Sequence, residues 1–150
     1  MRKNSYLSLK YLIPLIISIL VAVFLCFFKI IIINGQSMEP TLKSGQPTLA
    51  INNNSNLEVN DIIIFHSSNL GVCVKRVVAC EGDEVKMDCG KLFINGAEQY
   101  HYDCQRTQEK TIVLHEEEYF VLGDNANASV DSREMGVIMK DMVIGKLIVY

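Results

Sequence analysis

The sequence of 150 residues carries a formal net charge of −3, and 49% of its residues are hydrophobic. This length fits one compact domain with a short appendage and leaves little room for a second domain. The slight acidic excess does not favour nucleic acid as a partner, because nucleic-acid-binding proteins present clustered basic residues. A mean hydropathy of +0.21 is high for a small soluble domain and points to a membrane segment.

The first predicted element is a helix over residues 11–28, which are apolar throughout apart from Ser18. A helix of this length spans about 27 Å, just enough for a bilayer core of about 30 Å. Pro14 is expected near the start of the helix, where a proline costs little stability. Because Lys29 ends the apolar run, the predicted transmembrane anchor covers residues 11–29.

The basic residues around the anchor predict its orientation. Only Lys29 follows closely, whereas three basic residues precede the anchor, namely Arg2, Lys3 and Lys10. The positive-inside rule then places residues 1–10 in the cytoplasm and residues 30–150 outside it. The prediction is a single-pass protein of the cell membrane.

Two alternatives to a retained anchor are weaker. A cleaved secretory signal peptide has a shorter apolar core, and residues 30–33 provide no small-x-small cleavage site. A buried core helix is disfavoured because the apolar run has no polar face.

Beyond the anchor the sequence predicts many short strands and no further helix of convincing length. Residues 61–66 contain four consecutive large apolar side chains, which is typical of a strand buried on both faces. Asp88-Cys89-Gly90 and Asn95-Gly96 are hairpin signals. The predicted fold class is therefore mostly β, a transmembrane helix followed by an antiparallel sheet domain. The other predicted strands are residues 30–33, 47–51, 72–79, 84–87, 92–94, 111–114, 119–122 and 143–150.

The cysteines and histidines do not predict a metal site. No CxxC pair is present, and the histidines are interpreted as solvated or structural. Four cysteines fall in the extracytoplasmic part, where disulfides are permitted. A Cys89–Cys104 disulfide across neighbouring strands is one interpretation, and four free thiols is the other. The residues concerned are Cys26, Cys73, Cys80, Cys89, Cys104, His66, His101 and His115.

A candidate nucleophile follows the first short strand. In the segment Gly35-Gln36-Ser37-Met38-Glu39-Pro40-Thr41-Leu42, Ser37 lies where the strand gives way to a turn. Such a bend exposes a side chain and frees backbone N–H groups, the two requirements of an acyl-transfer nucleophile. An ordinary turn serine is the alternative, since serine is common beside glycine and proline.

A candidate general base lies in the predicted strand over residues 72–79. Alternation places Lys75 on one face with Cys73 and Val77, so its neighbours on that face are apolar. Burial there would lower the pKa of the amine, and a neutral lysine accepts a proton from a serine hydroxyl. Arg76 points to the opposite face and stays protonated. The alternative is a lysine whose amine reaches solvent from an edge strand.

The segment of residues 123–136 is dense in small polar side chains that hydrogen-bond their own backbone. Asp131 and Arg133 are suited to pair and brace it, and Ser129 is suited to bond a buried amine. A solvated surface loop is the alternative interpretation of this composition.

Taken together, these segments resemble the type I signal peptidase family, membrane proteases that remove signal peptides from secreted proteins. The resemblance runs from the anchor to near the end of the chain and comprises four motifs in the family's order. The motifs are the segment around Ser37 given above, Asn60-Asp61-Ile62-Ile63-Ile64-Phe65, Val74-Lys75-Arg76-Val77-Val78 with Gly82-Asp83, and Gly123-Asp124-Asn125 with Ser129, Asp131-Ser132-Arg133 and Gly136.

The resemblance implies a mostly antiparallel β catalytic domain with no metal and no cofactor. The implied substrates are secretory preproteins with small residues at the first and third positions before the cut, and the implied environment is a lipid bilayer. The implied roles are those of nucleophile (Ser37), general base (Lys75), support of the lysine amine (Ser129), bracing ion pair (Asp131 and Arg133) and packing beneath the site (Met38).

Some positions depart from the family pattern. Gly35 stands where some members carry a serine that helps to stabilise the oxyanion, so backbone N–H groups, chiefly that of Ser37, are expected to serve instead. Asn60 replaces a glycine that many members have, and Glu81 replaces a common proline. A lysine as base points to the bacterial and organellar branch of the family.

The functional prediction is a signal peptidase I, a membrane-bound serine endopeptidase with a Ser/Lys dyad. A self-cleaving repressor of the same Ser/Lys type is disfavoured, because an anchor stands where its DNA-binding domain would be. The alternative from another class is a membrane-tethered β domain with a binding role only. The presence of both candidate catalytic residues argues against that alternative.

Overall fold

The first element of the fold is helix α1 (Asn4–Phe27), and it begins before the apolar run. The stretch Lys10–Phe27 has the length and composition to cross a membrane, and none of it is buried within the protein. The sequence predicted Pro14 near the start of the helix, but Pro14 lies well inside it. Hydropathy marks the apolar run, whereas a helix continues through polar residues that do not break it. The computed structural model describes residues 4–52, 56–102 and 109–149.

The end of α1 is tied to the sheet. Strand β1 (Phe28–Ile32) follows α1 directly. The helix therefore ends one residue earlier than the predicted end at residue 28. The Asn52 N–H, beyond the end of the next strand, donates to the Phe27 carbonyl at 3.0 Å. Helix and sheet therefore meet without a linker.

Two antiparallel sheets form the rest of the described structure, which confirms the mostly antiparallel β fold. The large sheet has the strand order β1-β2-β11-β3-β4-β9-β10, and the small sheet has the order β7-β6-β5-β8. A short helix, α2 (Ser132–Met135), precedes β10. The remaining strands are β2 (Pro47–Ile51), β3 (Ile62–Ser67), β4 (Gly71–Ala79), β5 (Glu84–Asp88), β6 (Lys91–Ile94), β7 (Ala97–His101), β8 (Lys110–Val113), β9 (Glu118–Leu122), β10 (Ile138–Met139) and β11 (Val143–Val149).

The core lies on both faces of the large sheet. Ile63 and Phe65 of β3 pack in one apolar cluster, whereas Ile62 and Ile64 pack in another on the opposite face. This division follows from the alternation of side chains along a strand and confirms that β3 is buried on both faces. A third cluster, around Phe120, joins the large sheet to the small one.

Both predicted hairpin turns are present in the small sheet. Cys89 and Gly90 join β5 to β6, and Asn95 and Gly96 join β6 to β7. All four residues have positive φ, the backbone conformation that two-residue hairpin loops favour. The predicted Cys89–Cys104 disulfide stays a prediction, because Cys104 lies outside the described residues.

Candidate active site

Ser37 lies in a turn after β1, as the sequence predicts. Gly35 has a φ of +97°, in the left-handed region that glycine adopts most easily. Met38 and Leu42 are buried in the core, and the Leu42 N–H donates to the Met38 carbonyl at 2.9 Å. These two side chains fix the turn from within the protein, so that Ser37 stays partly exposed above them.

Lys75 lies in β4, and its side chain reaches the turn that contains Ser37. Lys75 is only 5% exposed, and its Nζ donates to Ser37 Oγ at 2.8 Å and to the Val74 carbonyl at 3.1 Å. Burial lowers the pKa of the Lys75 amine below its ordinary value and outweighs the opposing influence of Cys73 and Asp131. In its neutral form, the amine can accept the proton of the Ser37 hydroxyl across the same contact.

Arg76, the next residue of β4, has a different partner. Its Nη2 and Nε donate to the two carboxylate oxygens of Asp124 at 2.7 and 2.8 Å. Burial alone would raise the pKa of Asp124, but hydrogen bonds from Arg76 and Thr41 hold it below its usual value. This bidentate pair connects β4 to the loop after β9, and the sequence analysis did not predict it.

Asp131 and Arg133 form a second bidentate pair. The Arg133 Nε donates to Asp131 Oδ1 at 2.8 Å, and its Nη2 donates to Asp131 Oδ2 at 2.9 Å. Asp131 is fully buried and also accepts the Gly123 N–H at 3.0 Å. The structure therefore places this carboxylate between the arginine and the backbone at the end of β9.

Ser129 and Gly123 pack against the turn that contains Ser37. Ser129 is buried, and its Oγ has no hydrogen-bond partner among the described residues, so the expected bond to the Lys75 amine is not formed in this arrangement. A Cβ added to Gly123 would lie 2.5 Å from the Ser37 carbonyl oxygen and closer still to Ser129 Oγ. Only a glycine fits between these two serines.

Asn125 holds the backbone of the turn that contains Ser37 in place. Its N–H donates to the Ser37 carbonyl at 3.0 Å, and its Nδ2 donates to the Gln36 carbonyl at 3.2 Å. The motif containing Asn125 was identified in the sequence, but this contact across 89 positions was not. Local patterns do not reveal which distant backbone a side chain will meet.

A cavity of about 430 Å³ opens beside the Ser37–Lys75 contact. From Gly71 to Lys75, β4 is paired with β3, and its pairing with β9 begins only at Arg76. One edge of β4 is therefore open next to Lys75, among the described strands. The cavity is lined by Ser37 and Lys75 together with Ile31, Ile32, Ile33, Asn34, Met38, Val72, Cys73 and Val74.

The arrangement has the parts needed for acyl transfer. It contains a partly exposed hydroxyl, a buried amine of lowered pKa and a predominantly apolar groove. Within the residues that the structure describes, no three His, Cys, Asp or Glu side chains are grouped as metal ligands.

Comparison with known proteins identifies the family. The family described as "Signal peptidase, peptidase S26" matches residues 6–150. Signal peptidase IB of Staphylococcus aureus is 33% identical, over 92% of this chain and 88% of that protein. Signal peptidase I U of Bacillus subtilis is 33% identical, over 87% of this chain and 79% of that protein. A crystal structure of a signal peptidase I from Enterococcus faecalis superposes with a TM-score of 0.50 at 29% identity, covering 63% of this chain and 98% of that one. The chain therefore belongs to the signal peptidase family, peptidase S26.

Proposed function

We propose that this protein is a signal peptidase I that cuts signal peptides from secretory preproteins, with Ser37 as nucleophile and Lys75 as general base. The observation that carries the proposal is the 2.8 Å contact between Ser37 Oγ and the buried Lys75 Nζ. Family membership supports the reaction class, and this contact supports the choice of residues.

The proposed reaction has two halves. Neutral Lys75 takes the Ser37 proton while Oγ attacks the scissile carbonyl, and the resulting ammonium then protonates the departing amine. An acyl-enzyme on Ser37 remains. A water molecule, deprotonated by the same amine, attacks the acyl group and releases the signal peptide with regeneration of the Ser37 hydroxyl. The negative oxygen of each tetrahedral intermediate is stabilised by backbone N–H groups, chiefly that of Ser37, because Gly35 carries no hydroxyl.

The residues around the dyad hold it in position. Asp131 and Arg133 brace the loop that packs on Ser37, and Met38 anchors the turn in the core. Ser129 lies against Gly123 with its hydroxyl unpaired among the described residues, and we propose that this hydroxyl supports the Lys75 amine during the reaction.

We assign the open edge beside Lys75 to the substrate. An extended peptide would add as a strand between residues 31–34 and 72–75, since both segments line the cavity. In a strand, the first and third residues before the cut point to the same wall. The side chains that line the cavity are mostly large and apolar, and we propose that small substrate residues pack against them at both positions.

The membrane placement is part of the same proposal. Residues 1–10 would be cytoplasmic, residues 11–29 would form the anchor, and residues 30–150 would form the extracytoplasmic protease domain. The apolar side chains of α1 that the structure describes are exposed, for example Leu20 at 62%, and a lipid bilayer would cover them.

The test is cleavage of a preprotein by the full chain in detergent or lipid. Ser37→Ala and Lys75→Arg should each abolish cleavage, the latter because arginine stays protonated. Ser68→Ala and Lys110→Arg change an exposed serine and an exposed lysine and should retain the parent rate. Substantial cleavage by Lys75→Arg would exclude Lys75 as the base.

A covalent serine probe separates this proposal from a domain that only binds. Labelling of the parent that is lost in both Ser37→Ala and Lys75→Arg supports an activated nucleophile. A parent protein that is folded, resists labelling and cuts no preprotein would refute the proposed activity.

A further inference from the structure

Tyr102 connects the small sheet to the loop that follows β9. It lies directly after β7, and its N–H donates at 2.8 Å to the carbonyl of Gly90 in the β5–β6 turn. Its ring lies under the Arg133 guanidinium, with 4.7 Å between the guanidinium carbon and the ring centroid. Nothing in the sequence pattern pairs these two residues, which are far apart in the chain.

The Arg133 side chain is held on several sides at once. In the plane of the guanidinium, it donates to Asp131 at 2.8 and 2.9 Å and to the Ala126 carbonyl at 2.7 Å. The Tyr102 ring covers one of its faces. Hydrogen bonds fix the guanidinium within its plane, and the ring restricts movement out of the plane.

Asp131 carries this restraint to the proposed dyad. Its carboxylate accepts the Gly123 N–H at 3.0 Å, and Gly123 leaves no space for a methyl group against the Ser37 carbonyl. Asp131 also acts on the charge of Lys75 and favours its ammonium form. A shift of Arg133 would therefore change both the position of the loop and the field at the amine.

We propose that Tyr102 is a positioning residue for the proteolytic reaction, through which the small sheet orients Arg133 and Asp131 behind the Ser37–Lys75 pair. This inference rests on the proposed function of those two residues. The small sheet then contributes to catalysis as well as to the core.

The ring, and not the hydroxyl, carries this role. The Tyr102 Oη is buried and has no hydrogen-bond partner among the described residues. Tyr102→Phe keeps the face of the ring and removes only the hydroxyl, so it should cleave a preprotein within about twofold of the parent rate. Tyr102→Leu keeps an apolar side chain of moderate size but offers no ring to the guanidinium.

The loss expected in Tyr102→Leu is bounded by what the ring contact contributes. A cation–π contact changes the ratio of correctly placed to displaced Arg133 by about 2- to 30-fold. We expect kcat to fall by about fivefold with KM within about twofold, because the groove itself is untouched. The midpoint of the pH–rate profile should also move, because the field of Asp131 at Lys75 changes.

A purely structural role for Tyr102 predicts a different result. Tyr102 also packs against the cluster that joins the two sheets, so its loss can lower stability alone. Rates are therefore expressed per active site, counted by labelling with a serine-reactive probe. Tyr100 and Tyr102 both line a second cavity, of about 450 Å³, which lies next to Arg133 and is separate from the cavity beside Ser37. Tyr100→Leu removes the other ring from the wall of this second cavity, so it is the matched control and should keep the parent pH midpoint.

The closing experiment is a double-mutant cycle in the preprotein assay. If Tyr102 acts through Arg133, Tyr102→Leu should lower kcat in the parent and have little further effect in an Arg133→Gln background, which has no cation over the ring. Any of three results would overturn the inference. Tyr102→Leu could lower kcat by the same factor in both backgrounds, Tyr102→Phe could be as slow as Tyr102→Leu, or the pH midpoint of Tyr102→Leu could be unchanged. Ser37→Ala in the same assay separates the two proposals, because cleavage by that variant would refute the dyad itself.

Discussion

Replacement of Gly123 by alanine is a direct test of how closely the candidate active site is packed. The added methyl group would lie 2.5 Å from the Ser37 carbonyl oxygen and would also overlap the buried Ser129 side chain. Neither neighbour is the free end of a flexible chain. The turn that contains Ser37 and the loop after β9 must therefore move apart.

The size of the movement follows from ordinary contact distances. Non-bonded atoms settle at about 3.5 Å, so Ser37 and Gly123 must separate by about 1 Å. If that movement falls on the 2.8 Å contact between Ser37 Oγ and Lys75 Nζ, the contact exceeds hydrogen-bond distance. A displacement of this size costs about 100-fold in rate, and overpacking costs about 1–3 kcal/mol of stability.

The assay compares kcat per folded molecule and thermal unfolding for three proteins. Gly123→Ala should lose about 100-fold in kcat and also lose stability. Gly145→Ala is the control. Gly145 lies in β11, two positions from β4 in the sheet, and its added Cβ would lie 2.6 Å from the Ile51 carbonyl oxygen. It should lose comparable stability and keep kcat within about twofold per folded molecule.

The result that would refute this reasoning is a Gly123→Ala protein with the parent kcat. A loss of kcat of the same size in Gly145→Ala would also contradict it, because the effect would then not depend on proximity to Ser37.

Three further predictions follow from the chain. Because burial lowers the pKa of Lys75, the rate should rise with pH as the amine becomes neutral, with a midpoint below the ordinary lysine value of about 10.4. A profile that rises around the ordinary histidine value and is lost on mutation of a histidine would reassign the base. Protease protection should find Lys3 accessible only from the cytoplasmic side of vesicles and residues 52–56 only from outside, and the reverse pattern would contradict the topology. A Cys89–Cys104 disulfide would close a short loop and stabilise the folded state by about 3 kcal/mol. Mass spectrometry that finds both thiols alkylated in unreduced protein would rule the disulfide out.

Much of the fold follows from local chemistry that the sequence displays. Asn95 and Gly96 both adopt positive φ, and few other residue pairs do so easily, which is why the hairpin was predictable. The four apolar residues of β3 likewise require cover on both faces. These predictions need no knowledge of which strands are neighbours.

The contacts that set the site depend on such neighbours. Arg76 and Asp124 are 48 positions apart, and the structure joins them only because β4 and β9 are adjacent with Arg76 opposite Leu122. The ring of Tyr102, just beyond β7, meets Arg133 in α2 for a similar reason. Strand order and register decide these contacts, and neither is encoded within a single segment.

The direct passage from α1 into β1 fixes the distance between the end of the helix and Ser37. Ser37 stands ten positions beyond Phe27, so it can lie at most about 35 Å along the chain from the end of the helix, and the stiff pairing of β1 with β2 fixes that reach. If α1 lies in a bilayer, the height of Ser37 above the lipid is set by the fold. Because a substrate anchored in the same bilayer advances about 3.3 Å for each extended residue, this height selects how far beyond its own membrane segment a preprotein is cut.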